Sequence, residues 1–223
     1  AASLANNDGH AAHALSVMTL ALLLGKKAEL PEVSLRALAV GALLHDIGKL
    51  SINPAILRNS ERNRHEATIY RTHCRSGYDE ALRAGTVSQA MLEAILSHHE
   101  RFDGSGFPDH LSGREIPLAA RIVAIANRFD NLVNPVDYRH ALSPSEALAT
   151  MWAREKTRFD PGLLGLFVRA MGVYPPGSIV QLSDGRIGAV AGSAPDAKPL
   201  SPLVTIYAPE VPRQQAIIVD LAN

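Results

Sequence analysis

An apolar helical stretch that ends in charged side chains is the feature that most constrains the fold of this chain. The segment "LLHDIGKL" at residues 43–50 places His45 and Asp46 directly after two leucines and Lys49 three residues beyond Asp46. Burying such a cluster without compensation costs on the order of several kcal/mol. Because bound metal ions would compensate the buried charge, the segment predicts a metal site at the end of a buried helix.

Histidines elsewhere in the chain extend this prediction. Five of the nine histidines lie at predicted helix positions from which they could converge: His13, His45, His73, His98 and His99. Imidazole and carboxylate ligands together suit divalent transition metals such as iron, manganese and zinc. Any one of these histidines alone is more often a packed core residue than a ligand. Because they fall on four predicted helices, only a bundle that turns them inward could bring them together.

The neighbouring pair of His45 and Asp46 limits where such a site can lie. Adjacent residues of a helix point about 100° apart, so the two can share a site only along the helix edge. A carboxylate there has two oxygens and could bridge two metals spaced about 4 Å apart. The pair therefore favours a dinuclear centre over a single ion.

Hydrophobic spacing predicts a mainly α fold from about residue 10 to residue 171. Apolar residues recur at three- and four-residue steps, as on a helix face that packs against a core. Three such stripes are Leu35, Leu38, Ala39, Ala42 and Leu43; Val87, Met91, Leu92, Ile95 and Leu96; and Leu118, Ile122, Ile125, Phe129 and Leu132. Further helices are predicted to begin at a capping box over residues 143–146 and at Asp160-Pro161.

After Gly172 the pattern changes from helices to strands. Residues 179–182 and 187–190 flank an Asp184-Gly185 pair, which is a strong hairpin signal. Residues 203–207 and 216–219 are predicted to form two more strands. We therefore expect a helical domain over residues 1–172 and a small β-rich C-terminal region over residues 173–223.

Charge and cysteine content exclude several classes of function. Lysine plus arginine balances aspartate plus glutamate at 22 each, so no net basic field favours binding to DNA. The single cysteine, Cys74, excludes an internal disulfide framework and fits a reducing cytoplasm. The longest apolar run, residues 18–24, is too short for membrane insertion. The absence of an initiator methionine favours a fragment with a regulatory region upstream.

Three ordered motifs resemble those of the HD-GYP family. They are "LLHDIGKL" at residues 43–50, "SHHERFDGSGFP" at residues 97–108 and "GREIPLAARIVAIANRFDNL" at residues 113–132. His13, His73 and the later segment "PPGSIVQLSDGRIGAV" extend the resemblance over nearly the whole chain. Phe107 stands where the family usually has tyrosine, so the chain looks like a divergent member with GFP in place of GYP. The resemblance implies an HD-type helical bundle.

The same resemblance implies an enzyme of bacterial second-messenger signalling. Similar proteins hydrolyse cyclic di-GMP to linear pGpG, to GMP or to both, using two or three iron or manganese ions. Members with three metals carry a glutamate where this chain has Gly9, so two divalent ions are expected here. Diguanylate cyclase domains, which synthesise the messenger, are the implied protein partners.

The roles of individual residues are carried over by position. One metal is assigned to His13, His45 and Asp46, and Asp46 bridges to a second metal at His73, His98 and His99. Asp46 and Lys49 are the implied catalytic residues. The implied substrate-binding residues are Lys49, Arg114 and Arg139. The implied partner loop comprises Asp103, Gly104, Gly106, Phe107 and Pro108, for which a simple helix connection is an equally good interpretation.

Two departures from the family pattern leave an alternative function open. Asn127 occupies the position of a metal-ligating aspartate; its amide oxygen can still coordinate a metal but brings no charge. Val136 stands where an arginine that holds the ligand is expected. A degenerate domain with little turnover, acting as a ligand-binding or protein-interaction module, is therefore the alternative to an active phosphodiesterase. A phosphohydrolase for another nucleotide is a weaker third interpretation.

Overall fold

The computed structural model describes residues 2–85, 87–172, 176–192, 202–211 and 216–221, with side chains from Gly9 onward. Eight α-helices lie within these ranges: α1 (Ala2–Lys27), α2 (Glu32–Leu44), α3 (Pro54–Arg58), α4 (Arg64–Ala84), α5 (Gln89–Ser97), α6 (Leu118–Val133), α7 (Pro144–Arg154) and α8 (Pro161–Met171). Four strands follow them: β1 (Ile179–Gln181), β2 (Ile187–Gly192), β3 (Leu203–Ile206) and β4 (Ile218–Asp220). The predicted fold class, mainly α with a small β-rich C-terminal part, is confirmed.

Two helix starts lie where the sequence predicts them. The Ser143 hydroxyl accepts from the backbone of Glu146 at the start of α7, while the Glu146 carboxylate accepts from the backbone of Ser143. At the start of α8 the Asp160 carboxylate accepts from two backbone N–H groups. Each such cap contributes about 1 kcal/mol by satisfying donors that the helix itself leaves free.

Helix α1 forms one side of the main hydrophobic core. Its fully buried residues Val17, Ala21 and Leu24 recur at three- and four-residue steps. They face α2, α6 and α8, which contribute residues such as Leu38, Ile125 and Phe167 to the same core. Within the described ranges, no helix combines the length and the apolar character needed to cross a bilayer.

The buried face of α2 differs from the predicted stripe. Leu43 is 37% exposed, so its predicted core position is wrong, whereas Leu38 and Ala42 are buried as predicted. The helix instead packs closely on α5 through small residues: a Cβ at Gly41 would lie only 2.8 Å from the Ala94 Cβ. This close packing rotates the buried face away from Leu43.

The C-terminal strands form one antiparallel sheet in the order β1-β2-β3-β4. The predicted hairpin is confirmed, with Ile179 opposite Ala189 across the first pair of strands. Strand β4 begins two residues later than predicted, at Ile218 instead of Ala216. A small hydrophobic cluster of Val190, Val204 and Ile206 lies in the sheet. That the sheet is a region of its own, divided from the helices at residue 172, stays a prediction.

Candidate metal centre and substrate cleft

The five histidines singled out from the sequence and Asp46 lie together in the structure. His13 lies in α1 and His73 in α4, while the other four residues directly follow α2 and α5. They form two groups that share one carboxylate, and within each group the possible ligand atoms lie within 4.8 Å of one another. The groups are His13, His45 and Asp46, and Asp46, His73, His98 and His99.

The ends of two helices explain how neighbouring residues reach the same centre. The sequence predicts His45 and His98 at the ends of helices, and the structure places each at the C-cap position, after Leu44 and Ser97 respectively. At Asp46 the backbone leaves helical geometry, with φ −101° and ψ 9°. Consecutive residues of a continuous helix would point about 100° apart. The change of direction at Asp46 lets both His45 and Asp46 face inward.

Asp46 lies between the two groups, with one carboxylate oxygen toward each. Its Oδ2 atom is 3.3 Å from His45 Nε2 and 3.7 Å from His13 Nε2. Its Oδ1 atom is 3.5 Å from His73 Nε2 and 3.6 Å from His98 Nε2. This is the arrangement in which a single carboxylate can bridge two cations.

Backbone carbonyl groups fix which nitrogen of each imidazole faces the centre. The Nδ1 atoms of His45, His73 and His98 donate to carbonyl oxygens of the preceding helical turn. The acceptors are Ala42, Tyr70 and Ile95, at 2.6, 2.6 and 2.8 Å. Because Nδ1 must carry the proton in each bond, Nε2 presents a lone pair toward Asp46. Imidazoles that ligate metals are oriented by this kind of outer hydrogen bond.

The imidazole nitrogens and the Asp46 oxygens are better suited to binding a metal than to forming hydrogen bonds with one another. An Nε2 lone pair and a carboxylate oxygen are both acceptors, so they cannot form a hydrogen bond. Indeed His45 Nε2, Asp46 Oδ1 and His99 Nε2 are buried without a hydrogen-bond partner among the residues that the structure describes. Each such orphan costs about 1–3 kcal/mol. Cations between them would satisfy all three, and nitrogen and oxygen donors together suit a divalent transition metal.

Burial keeps the imidazoles of His73, His98 and His99 in the neutral form that binds metals. It lowers the pKa of His73 to about 3 and holds the pKa of His99 well below its usual value. Burial alone would raise the pKa of Asp46, but the neighbouring His45 side chain and the Lys49 ammonium keep it well below the usual range. At neutral pH His73 and His99 therefore offer neutral nitrogens and Asp46 an ionised carboxylate, as metal binding requires.

Comparison with known proteins agrees with this geometry. The family model described as "HD domain" matches residues 3–163 of the 223-residue chain. The chain belongs to the HD domain family. The family membership expected from the three motifs is therefore confirmed.

Curated relatives of this HD domain are longer proteins. A cyclic di-GMP phosphodiesterase of Pseudomonas aeruginosa is 34% identical over 179 residues, covering 80% of this chain and 43% of the relative. The cyclic di-GMP phosphodiesterase response regulator RpfG of Xanthomonas campestris is 36% identical over 151 residues, covering 66% of this chain and 39% of the relative. The chain thus spans about two fifths of their length.

A solved structure supports the fold. An HDG"Y"P protein from Bdellovibrio bacteriovorus superposes with a TM-score of 0.59 at 20% identity, covering 71% of this chain and 51% of the other. At that identity the likeness concerns the fold alone. It agrees with the helical architecture that positions the histidines of this HD domain.

Asp130 is a residue of the HD-domain centre whose role the sequence did not predict. Its Oδ2 atom lies 2.5 Å from His13 Nδ1, and its Oδ1 atom accepts from Ser16 and Asn134. Burial alone would raise the pKa of Asp130, but these three hydrogen bonds lower it, so the carboxylate stays charged. By accepting from Nδ1, Asp130 orients His13 with Nε2 toward Asp46, as the backbone carbonyls orient the other histidines.

Asp130→Asn is expected to weaken metal binding at the His13 side of the centre about 10- to 100-fold, the usual effect of losing an outer-shell partner. The amide can no longer accept with full negative charge from Nδ1, so His13 is held less firmly. Metal titration of the purified variant measures the affinity. Asp79→Asn, at an exposed position of α4, serves as the control. Equal affinities for the two variants would contradict the assigned role of Asp130.

Asn127 lies one helical turn before Asp130 and is buried, with 5% of its surface exposed. Its Oδ1 atom accepts from the Asn131 amide at 2.6 Å. The oxygen therefore already has a partner within α6. Its ligation of a metal stays a prediction.

A cleft opens beside the histidines and has the size of a small-molecule site. It consists of two adjoining cavities of about 630 and 720 Å³, both lined by Lys49, Arg58 and Val136. Ligand sites commonly have volumes of about 300–1,000 Å³. Of the predicted substrate-binding residues, Lys49 and Arg139 line the cleft, whereas Arg114 is exposed and lines neither cavity.

Lys49 joins the cleft to the metal centre. Its ammonium group donates to Asp46 Oδ2 at 2.5 Å and lies 5.5 Å from the centre of the Tyr70 ring. Burial alone would lower the pKa of Lys49, but Asp46 and Tyr70 raise it, so the side chain carries its charge. A cation is thus fixed where the cleft meets the histidines.

The GFP loop packs against the same centre. The Phe107 ring stacks on His99 with a centroid distance of 4.6 Å and an interplanar angle of 21°. Gly106 is buried, and a Cβ there would overlap the backbone of Glu100 and Arg101. Asp103, by contrast, is exposed. The loop therefore supports His99, and its predicted role in partner binding stays a prediction.

Proposed function

We propose that the chain is a metal-dependent phosphodiesterase that hydrolyses cyclic di-GMP to pGpG, to GMP or to both. The observation that carries this proposal is the pair of imidazole groups sharing Asp46 at the end of a cation-lined cleft. Such a centre suits hydrolysis of a phosphodiester, whose anionic oxygens bind well to divalent cations. The names of the two curated relatives support the cyclic dinucleotide as substrate.

Two iron or manganese ions are the cofactors that this proposal requires. One would be held by His13, His45 and Asp46, with Asn127 as a neutral donor beside them. The other would be held by Asp46, His73, His98 and His99. When bound, such ions supply Lewis-acid activation of the phosphodiester and of the attacking water.

The side chains around the centre contribute orientation and charge. Asp46 holds the Lys49 ammonium at 2.5 Å, so this donor is already in place when a phosphate enters the cleft. A preorganised cation stabilises negative charge that develops on phosphate oxygens during hydrolysis. Carbonyls behind His45, His73 and His98 keep the lone pairs directed inward without further rearrangement.

The cellular setting is also part of the proposal. A cytoplasmic location is supported by Cys74, a buried free thiol. Diguanylate cyclase domains are proposed partners at the GFP loop, where Asp103 is exposed and Pro108 lies at the edge of a surface groove. Loss of co-purification with a cyclase domain on Asp103→Lys would support this contact, and unchanged co-purification would oppose it.

The proposed function is tested by incubating the protein with cyclic di-GMP and manganese or ferrous iron, and following the products by chromatography. We expect pGpG or GMP to form only when metal is present, and a chelator to stop the reaction. A protein that keeps its metals but gives no product would instead favour the ligand-binding alternative. A protein that binds no divalent metal would contradict both interpretations.

Asn127→Asp is expected to raise metal affinity on the order of tenfold, as a change in the ligand shell commonly does. The reason is that a carboxylate adds charge to a buried position one helical turn from Asp130, the partner of His13. Without metal the same carboxylate should lower the melting temperature, because an uncompensated buried charge is costly. Thermal melts with and without manganese measure both effects. Melting temperatures that shift equally under the two conditions would place residue 127 away from the metals.

A further inference from the structure

Arg58 is a cation of the cleft that the motifs do not identify. It is the last residue of α3 and lines both cavities of the cleft. In one it lies with His13 and Asp130, and in the other with Tyr70. The Arg58 side chain therefore lines the same cleft as Lys49.

The other cations that line the cleft have partners within the protein. Lys49 donates to Asp46, Arg62 donates to two backbone carbonyls, and Arg139 pairs with Asp137. In the part of the chain that the structure describes, the Arg58 guanidinium makes no hydrogen bond or ion pair. A free guanidinium offers five donors in a fixed fork that matches phosphate oxygens.

Apart from Lys49 and the α3 residues, both cavities are lined by His10, Asn131 and Val136, none of which carries a permanent positive charge. Val136 is 90% exposed and apolar, and it lines the same two cavities as Arg58. An anionic group bound away from Lys49 therefore finds its free counter-charge on the α3 side of the cleft.

We propose that Arg58 binds the second, non-reacting phosphate of a cyclic dinucleotide. This inference rests on the proposed function and deepens it by assigning a substrate subsite. A cyclic dinucleotide has two phosphodiesters on opposite sides of its ring, so only one can occupy the metals and Lys49 at a time. A bidentate contact from Arg58 holds the other and favours dinucleotides over substrates with a single phosphate.

Arg58→Gln tests the subsite through two independent measurements on manganese-loaded protein. Titration with a hydrolysis-resistant phosphorothioate analogue of cyclic di-GMP gives a dissociation constant. We expect it to rise about 10- to 100-fold, because a charge-assisted contact is lost. Turnover of bis(p-nitrophenyl) phosphate, which has one phosphodiester, should fall far less than the affinity for the cyclic analogue. Arg154→Gln is the matched control, since Arg154 is also an exposed arginine at the end of a helix.

A second substitution provides a rescue. Val136→Arg, introduced into the Arg58→Gln variant, should recover most of the lost affinity because it returns a cation to the same two cavities. Equal dissociation constants for Arg58→Gln and Arg154→Gln, or no measurable binding of the analogue to the parent protein, would overturn the subsite. Absent turnover of bis(p-nitrophenyl) phosphate would instead count against the proposed function, and the dissociation constants would still decide the role of Arg58.

Discussion

Replacing Asp46 with asparagine is expected to remove both metals and to lower phosphodiester turnover roughly a thousandfold or more, as when a catalytic unit loses a shared member. Each carboxylate oxygen faces a different pair of imidazole Nε2 atoms, so one substitution acts on both groups. The amide has the same shape but only one acceptor atom. Its NH₂ group would donate to one imidazole pair, which then needs no cation.

The experiment compares Asp46→Asn with Asp79→Asn, whose side chain is exposed on α4. Metal content is measured by elemental analysis of protein purified with manganese, and turnover is measured with cyclic di-GMP. Manganese should raise the melting temperature of the control and leave that of Asp46→Asn unchanged, because binding to the folded state alone stabilises it. A variant that retained two metals per chain would show that Asp46 is not the bridge.

The position of this carboxylate could be anticipated from residue types alone. His45 and Asp46 follow two leucines, and a charged pair at the end of an apolar helix needs compensation wherever that helix is buried. The structure indeed leaves His45 fully buried, with Nε2 lacking a hydrogen-bond partner. What the residue types could not reveal is the turn after Leu44. Helical spacing permits only an edge position for the pair, whereas the real backbone changes direction there.

Contacts between distant segments of the chain could not be predicted from residue types either. His13 and Asp130 are separated by 117 positions, and only the packing of α1 on α6 brings them together. Arg58 belongs to no sequence motif, because an unpaired cation in a cleft can be recognised only once the facing wall of the cleft is known. Leu43 was placed in the core because leucine is apolar, yet the close approach of small residues at Gly41 and Ala94 sets the rotation of α2.

Gly48 belongs to the first motif, and the reason for a glycine at this position becomes clear only from the packing around it. It lies in a short 3₁₀ helix, Ile47–Ser51, that packs against α4. A Cβ at this position would overlap the backbone of His73 and Gly77. Gly77 completes the contact, since a Cβ there would lie 3.1 Å from the Gly48 nitrogen. Two glycines thus let the backbone after Asp46 touch the helical turn that carries His73.

Gly48→Ala is therefore expected to destabilise the protein by about 3 kcal/mol or more, at the upper end for overpacking, because backbone atoms cannot rotate aside as a side chain can. Urea denaturation of the metal-free protein measures the change. Gly165→Ala is the matched control: its Cβ would meet only the end of the Arg169 side chain, at 3.4 Å. In a helix this control should be neutral or stabilising, since alanine favours helix over glycine by about 1 kcal/mol.

The same substitution also tests how the centre is assembled. If contact at Gly48 sets the separation of Asp46 and His73, any Gly48→Ala protein that still folds should bind the second metal more weakly than the first. The side chains of His13 and His45 are not among the nearest atoms that this Cβ would meet, so the first group is affected only through Asp46. Two metals bound with unchanged affinity in a stable Gly48→Ala protein would show that the bridge does not depend on this backbone approach.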